Sequence, residues 1–167
     1  MGFRDYIMIL LMLDSGMRVS ELVGLDVDDV SLPLLKVRGK GDKERVVALS
    51  DATQKAPMKY MRAHKNYVKG VPFLFPSRHG GRVSKRTVAV RLKRYGEAAG
   101  ITGISLSPHK MRYAFATHYL RNGGSIVSLQ QTLGHTTLTM THHYARMVNA
   151  DAFEDVRKFS PVSKLKL

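Results

Sequence analysis

The stretch LLKVRGKGDKERVVALS, residues 34 to 50, is the clearest β signal in a chain whose other periodic segments read as helical. Apolar, β-branched runs flank a Gly-Lys-Gly-Asp turn, which is the pattern of an antiparallel hairpin with Lys40 at its tip. The fold class that follows is mostly α with one small antiparallel β-sheet in the N-terminal third, an α+β chain.

The helices are bounded by recognisable stops and caps. Residues 3 to 14 have helical character ended by Gly16, and RVSELVGL (18 to 25) follows almost at once as a second short helix, so Arg18 falls at a helix junction. Asp51 with Gln54 resembles a capping box opening a helix toward Tyr67, with Pro57 in its first turn. Residues 71 to 82 read as an extended or loop segment. Ser84 caps a helix to about Ala99, Ser107-Pro108 opens one ending near Asn122-Gly123, and Ser125 to Leu133 is another, stopped by Gly134. Thr136 or Thr137 then caps a helix carrying Tyr144, and residues 151 to 159 form a last helix with Ala152, Phe153, Val156 and Phe159 on one face.

Composition narrows the partner. The 167 residues fit one domain with a core, and 27 Lys plus Arg against 13 Asp plus Glu give a net charge of +14, which suits a polyanion. The cations are unevenly spread: Arg78, Arg82, Lys85, Arg86, Arg91, Lys93 and Arg94 follow one another without an acid, while six acids crowd residues 1 to 30 around Arg4 and Arg18. A cationic run in so basic a chain points to a phosphate backbone. No segment approaches the roughly 18 apolar residues of a membrane span, and the absence of cysteine excludes disulfides and Cys-based zinc sites.

LGHTTLTMTHHY, residues 133 to 144, brings His135, His142, His143 and Tyr144 together and alone leaves a metal site, packed core or a reaction centre open. In SPHKMRYAFATHYL, His109 and Arg112 stand three apart and share a helix face. The order along the chain is Arg18, Lys40, His109-x-x-Arg112, Leu-Gly-His135, Tyr144.

With DSGMRVSELVGL, VRGKGDKERVVALS, FLFPSRHGGRVSKRTV, SPHKMRYAFATHYL and LGHTTLTMTHHY in that order, the sequence resembles the catalytic domain of the tyrosine recombinases, the phage-integrase family, from about residue 5 to residue 150. Tyr113 departs from the pattern, since relatives commonly place a second histidine after the arginine.

The resemblance implies a site-specific DNA recombinase or integrase domain with the DNA breaking-rejoining fold, which cuts and rejoins strands through a 3′-phosphotyrosyl link without metal, ATP or other cofactor. The roles it implies suit the chemistry of a phosphodiester, which needs a nucleophile, fixed positive charge on the non-bridging oxygens and a proton for the departing 5′ oxygen. Tyr144 is the implied nucleophile, Arg18 and Arg112 the phosphate forks, Lys40 the general acid, His109 the helper in proton transfer from the tyrosine, His135 a hydrogen-bond donor to phosphate, and Glu21 the supporting carboxylate. Arg38, Lys43, Arg78, Arg82, Lys85, Arg86, Arg91, Arg94 and Lys110 are the candidate DNA contacts. His142 and His143 receive no role, and no metal site is expected.

Three other readings compete. A type IB topoisomerase shares the chemistry but rejoins the original strand, and the blocks from hairpin to tyrosine favour the recombinase. A non-catalytic DNA-binding module is disfavoured by the intact residue set. A metal-dependent hydrolase is disfavoured because the carboxylates cluster early rather than beside the histidines. The expected partners are double-stranded DNA and, on it, other copies of the chain in a tetrameric synaptic complex, with a monomer off DNA and no membrane. The expected location is the cytoplasm, at the nucleoid. Residues 1–167 read as one catalytic domain with residues 150–167 as a protomer-exchange tail. The core-binding domain that relatives carry ahead of this segment is absent, so the chain reads as a piece of a longer protein.

Overall fold

The computed structural model describes residues 2–39, 41, 43–64, 70–135, 137, 141 and 144. Helix α1 (Phe3–Ser15) buries Ile7, Met8, Leu11 and Met12 on one face and packs against most other helices. Gly16 ends it at φ 61°, donating its N–H to the Met12 carbonyl at 3.1 Å, a left-handed stop that favours glycine. Arg18 is extended and opens α2 (Val19–Gly24). After a short 3-10 turn come β1 (Val30–Ser31), β2 (Leu34–Arg38) and β3 (Glu44–Ala48), an antiparallel sheet in the order β1-β2-β3. The hairpin registers Val37 with Arg45 and Leu35 with Val47, and its inner face carries Leu35, Val37 and Val47 into the core.

Helix α3 (Lys55–Ala63) starts at Lys55 rather than at Asp51: the Asp51 side chain accepts from Gln54 Nε2 at 2.9 Å, and residues 51–54 turn before the helix begins. The two-residue strand β1 is not apparent in the sequence, since it exists only through its pairing with β2. Helices α4 (Lys85–Ala98), α5 (Pro108–Arg121) and α6 (Ile126–Leu133) start as expected, with the Ser84, Ser107 and Ser125 hydroxyls accepting from the Thr87, Lys110 and Ser128 N–H groups, each satisfying a backbone donor left open at a helix start. Tyr67, Thr136, His142, His143 and the proposed last helix lie outside the described residues. Among the described residues no helix is long and apolar enough to cross a membrane.

Among the described residues, two clusters make the interior. The larger gathers α1, α2, the sheet, α3 and α4 around Leu11, Leu22, Leu35, Tyr60, Phe75 and Leu92, and the smaller holds Ala116, Leu129, Leu133 and Tyr144, flanked by Tyr113 and Phe115. Two of the cations from the basic run serve the fold itself. Arg91 donates to the buried Asp5 carboxylate at 2.6 Å, as does the Tyr95 hydroxyl at 2.6 Å, tying α4 to α1. Burial alone would raise the Asp5 pKa, yet the Tyr95 hydrogen bond and the Arg91 and Arg4 charges hold it below the usual carboxylate value. Arg82 lies over the Phe73 ring, pairs with Asp26 at 2.8 Å and donates to the Gly24 and Leu25 carbonyls.

The seam between α1 and α5 is closed at Gly16, where an added Cβ would run into the Phe115 ring and stand 2.9 Å from Leu133 Cδ2. Gly16→Ala is therefore expected to cost at least about 2 kcal/mol, from backbone strain plus overpacking. Gly100→Ala, also at positive φ but in open space, is expected to cost only about 1 kcal/mol. Urea denaturation of both variants checks this; equal losses would mean that the Phe115 contact contributes nothing.

Candidate active site

Glu21 is the deepest charge of the site. Its side chain is 0% exposed and accepts the Arg18 backbone N–H at 2.6 Å, Arg18 Nη1 at 2.9 Å and Arg45 Nη2 at 2.8 Å. Burial would raise its pKa, but the backbone donor and the two guanidinium groups outweigh that and leave it lowered. Arg18 itself remains 40% exposed, so its charge is anchored at the back and open to solvent at the front.

Arg112, on the buried side of α5, donates Nη1 to the Gly16 carbonyl at 2.6 Å and Nη2 to the Leu133 carbonyl at 2.8 Å. Its Nη2 also lies 3.0 Å from His135 Nε2, which must accept. The other ring nitrogen, Nδ1, then carries the proton and donates to Thr141 Oγ1 at 2.9 Å. Burial, with repulsion from Arg18, lowers the Arg112 pKa to about 10, leaving it charged near neutrality. Burial and then the charges of Arg112, Arg18 and Arg45 push His135 down to about 4, so its imidazole is neutral. Gly134, left-handed at φ 63°, ends α6 and delivers the His135 ring to this point.

Tyr144 is 7% exposed, its ring stacked on His135 at 6.2 Å between centroids and tilted against Tyr113 at 5.7 Å. Arg18, Glu21, Arg112, His135 and Tyr144 are thus drawn to one place from α2, α5, the α6 end and the segment beyond it. His109 stands exposed in the first turn of α5 and makes no hydrogen bond or ion pair among the described residues. Lys40 lies outside the described residues, although Gly39 before it stands beside Glu21, where an added Cβ would be 3.7 Å from Oε1.

Sequence reasoning missed Arg45 and Thr141. Arg45 follows the strand alternation onto the same face as Val47, registered against Val37, so a cation was written into the apolar face of the hairpin. That was the available signal, because a half-buried guanidinium needs a buried anion. The candidate DNA contacts divide. Lys43, Arg78, Lys85, Arg86, Arg94 and Lys110 are exposed, whereas Arg38 is paired with Asp29 at 3.1 Å and with Glu44 at 3.3 Å, and Arg82 and Arg91 are held as described above. On α4, Arg86, Lys93 and Arg94 fall on one helical face. Arg18, Arg45 and Arg112 gather at one centre with a single carboxylate, which only Arg18 and Arg45 touch, and leave it with unbalanced positive charge, a site for an anion with two or more oxygens.

The depressed histidine sets a pH response. The unfolded chain binds a proton at His135 near 6.5 while the folded chain resists until about 4, so this contribution to stability is complete above 6.5 and is lost as pH falls through that window. Thermal melts at pH 7.5 and pH 5 are expected to show a smaller drop for His135→Gln than for the wild type. Equal drops would mean that His135 is not held neutral. Keeping above pH 5 leaves the lowered carboxyls of Glu21 and Asp5 outside the comparison.

Known proteins resemble this chain in sequence and fold. Tyrosine recombinase XerD of Pseudomonas aeruginosa is 39% identical over 155 residues, covering 90% of this chain and 52% of that protein; the chain spans about half the length of the curated relatives it matches. The crystal structure of XerA recombinase superposes with a TM-score of 0.79 at 31% identity over 99% of this chain and 60% of that one. XerH site-specific recombinase, bound to a palindromic difH substrate in a post-cleavage complex, has a TM-score of 0.79 over 93% of this chain and 44% of that one, and at 22% identity it speaks for the fold alone. The sequence model of the phage integrase family matches residues 1–150, and the chain belongs to that family.

Proposed function

We propose that the chain is the catalytic domain of a tyrosine-type site-specific recombinase that cleaves double-stranded DNA and rejoins it to another strand through a 3′-phosphotyrosyl link. The observation that carries this reading is the Arg112–His135–Tyr144 relay beside the Arg18–Glu21 pair: a phenol packed on an imidazole, with two guanidinium forks around an under-neutralised centre. Arg18 and Arg112 bind the non-bridging oxygens and stabilise the charge that grows on them as phosphorus becomes five-coordinate. The Tyr144 oxygen attacks phosphorus, and its proton passes toward His109. The bond to the 5′ oxygen breaks as that oxygen takes a proton from Lys40. His135 donates a hydrogen bond to phosphate, which requires its imidazole to present an N–H there instead of accepting from Arg112. Reversal by a 5′ hydroxyl from another strand restores a phosphodiester, because the ester energy is kept in the tyrosyl link. Glu21 holds Arg18 from behind. We further propose a tetramer of full-length protomers on DNA, with residues 150–167 exchanged between neighbours, a cytoplasmic location at the nucleoid, and a core-binding domain preceding this segment.

A library of nicked suicide duplexes of random sequence, incubated with the chain in EDTA, is expected to yield a covalent DNA adduct. Tyr144→Phe is expected to keep DNA binding and form none. An adduct on that variant would remove Tyr144 as nucleophile. Arg18→Ala and Arg112→Ala are expected to slow adduct formation on the order of a hundredfold, the cost of losing a transition-state charge donor. Wild-type rates in both would sink the phosphate clamp.

Binding by this chain is expected to be salt-sensitive and largely independent of sequence, since exposed cations on phosphates carry no base information. Replacing Lys85, Arg86 and Arg94 together with alanine is expected to reduce the slope of log affinity against log salt by about 2 to 3. An unchanged slope in a fluorescence titration would take that surface off the DNA. Arg91→Ala is expected to act on stability instead, because Arg91 serves Asp5.

A further inference from the structure

Arg45 has no role in the proposed reaction, yet its guanidinium bonds inside the site. Nη2 donates to Glu21 Oε2 at 2.8 Å, Nε reaches Glu21 Oε1 at 3.4 Å, and Nη1 donates to the Thr132 carbonyl. It is 17% exposed. Three of its five N–H donors are turned to Glu21 and Thr132 and little of the side chain is exposed, which suits a support rather than a third phosphate clamp. What it touches is informative. Glu21 is the carboxylate that holds Arg18, and Thr132 precedes Leu133, whose carbonyl accepts from Arg112, and Gly134, which turns the chain to His135. Arg45 Cδ and Nε stand 2.9 and 3.0 Å from where a Cβ of Gly134 would be, so the side chain also fills the space beneath that turn.

We infer that Arg45 is a positioning residue for strand cleavage: one planar fork on the hairpin fixes, through Glu21, the direction of the Arg18 guanidinium and, through Thr132, the height of the turn that carries His135. Fixed geometry is what the fork supplies and an ammonium cannot, because a lysine nitrogen cannot span a carboxylate on one side and a carbonyl on the other with rigidly held donors. The role therefore depends on shape as well as charge.

The inference rests on the reading of this site as a strand-cleavage centre, and the test separates the two. The probe is a duplex ending in a 3′-p-nitrophenyl phosphate. Attack by the Tyr144 oxygen forms the phosphotyrosyl bond, the bond from phosphorus to the aryl oxygen breaks, and p-nitrophenolate leaves without needing a proton from Lys40, so colour reports the clamp and the nucleophile alone. Release by the wild type and none by Tyr144→Phe supports the site reading; a silent wild type overturns that reading and the inference with it.

With the wild type active, Arg45→Ala and Arg45→Lys are each expected to release p-nitrophenolate about a hundredfold more slowly at saturating duplex, with duplex affinity little changed. A merely structural residue would not give this split. In an Arg18→Ala background, adding Arg45→Lys is expected to cost about tenfold or less, since the share directed through Glu21 is gone and only the share through Thr132 and the His135 turn remains. If Arg45→Ala does not fold, Arg45→Lys, which keeps a cation beside Glu21, carries the measurement. Wild-type release by Arg45→Lys overturns the inference, and so does a full multiplicative loss in the Arg18→Ala background.

Discussion

Everything at this centre depends on one buried carboxylate. An unpaired Glu21 in the interior would cost several kcal/mol, and the chain meets that cost with a backbone N–H and two guanidinium groups drawn from separate elements. Removing either arginine leaves the charge undercompensated, so α2 and the hairpin cannot settle independently. The arrangement is asymmetric in a useful way. Glu21 has no exposed surface while Arg18 keeps 40% of its side chain open, which turns a buried anion into a rigid mount for an outward-facing cation. Arg112 is mounted differently, on the carbonyls of Gly16 and Leu133, and needs no carboxylate of its own. That economy leaves the site short of negative charge.

Most of the helical frame was legible because local chemistry decides it. Gly16 and Gly134 stop helices through positive φ, and Ser84, Ser107 and Ser125 start them through a hydroxyl on a backbone N–H. The hairpin was legible from alternation around its turn. Strand β1 was not, because two residues joined to β2 carry no periodicity of their own. The start of α3 was misplaced for a related reason: the Asp51 and Gln54 side chains bond each other rather than capping the helix. At the site, Arg18, Arg112, His135 and Tyr144 were marked by the resemblance to the phage-integrase family, since their types and spacing alone left other readings open. Arg45 was passed over, although strand alternation puts it on the inward face with Val47.

The basic run between Arg78 and Arg94 shows why a charge count overstates what a surface offers. Arg82 binds Asp26, two carbonyls and the face of Phe73, and Arg91 is the counter-ion of a buried aspartate. Both are cations by formula and struts by function. Those left to solvent lie largely along one face of α4, which the Asp5 contact ties to α1. The polyelectrolyte surface is therefore tied to α1 by a buried carboxylate, besides the Val88 and Leu92 packing of α4 in the core.

Gly16 carries two duties in one peptide. Its carbonyl holds Arg112, and its Cα lies against Phe115 on the same helix that carries Arg112. The turn thus acts as a gauge block between α1 and α5. A methylene gained or lost at Phe115 or Leu133 changes the thickness of that block, and a close-packed interior passes such a change on rather than absorbing it. Apolar side chains with no charge are in this way tuners of where a guanidinium stands. Variation in the smaller core is then a route by which the placement of Arg112 changes while the polar residues of the centre stay the same.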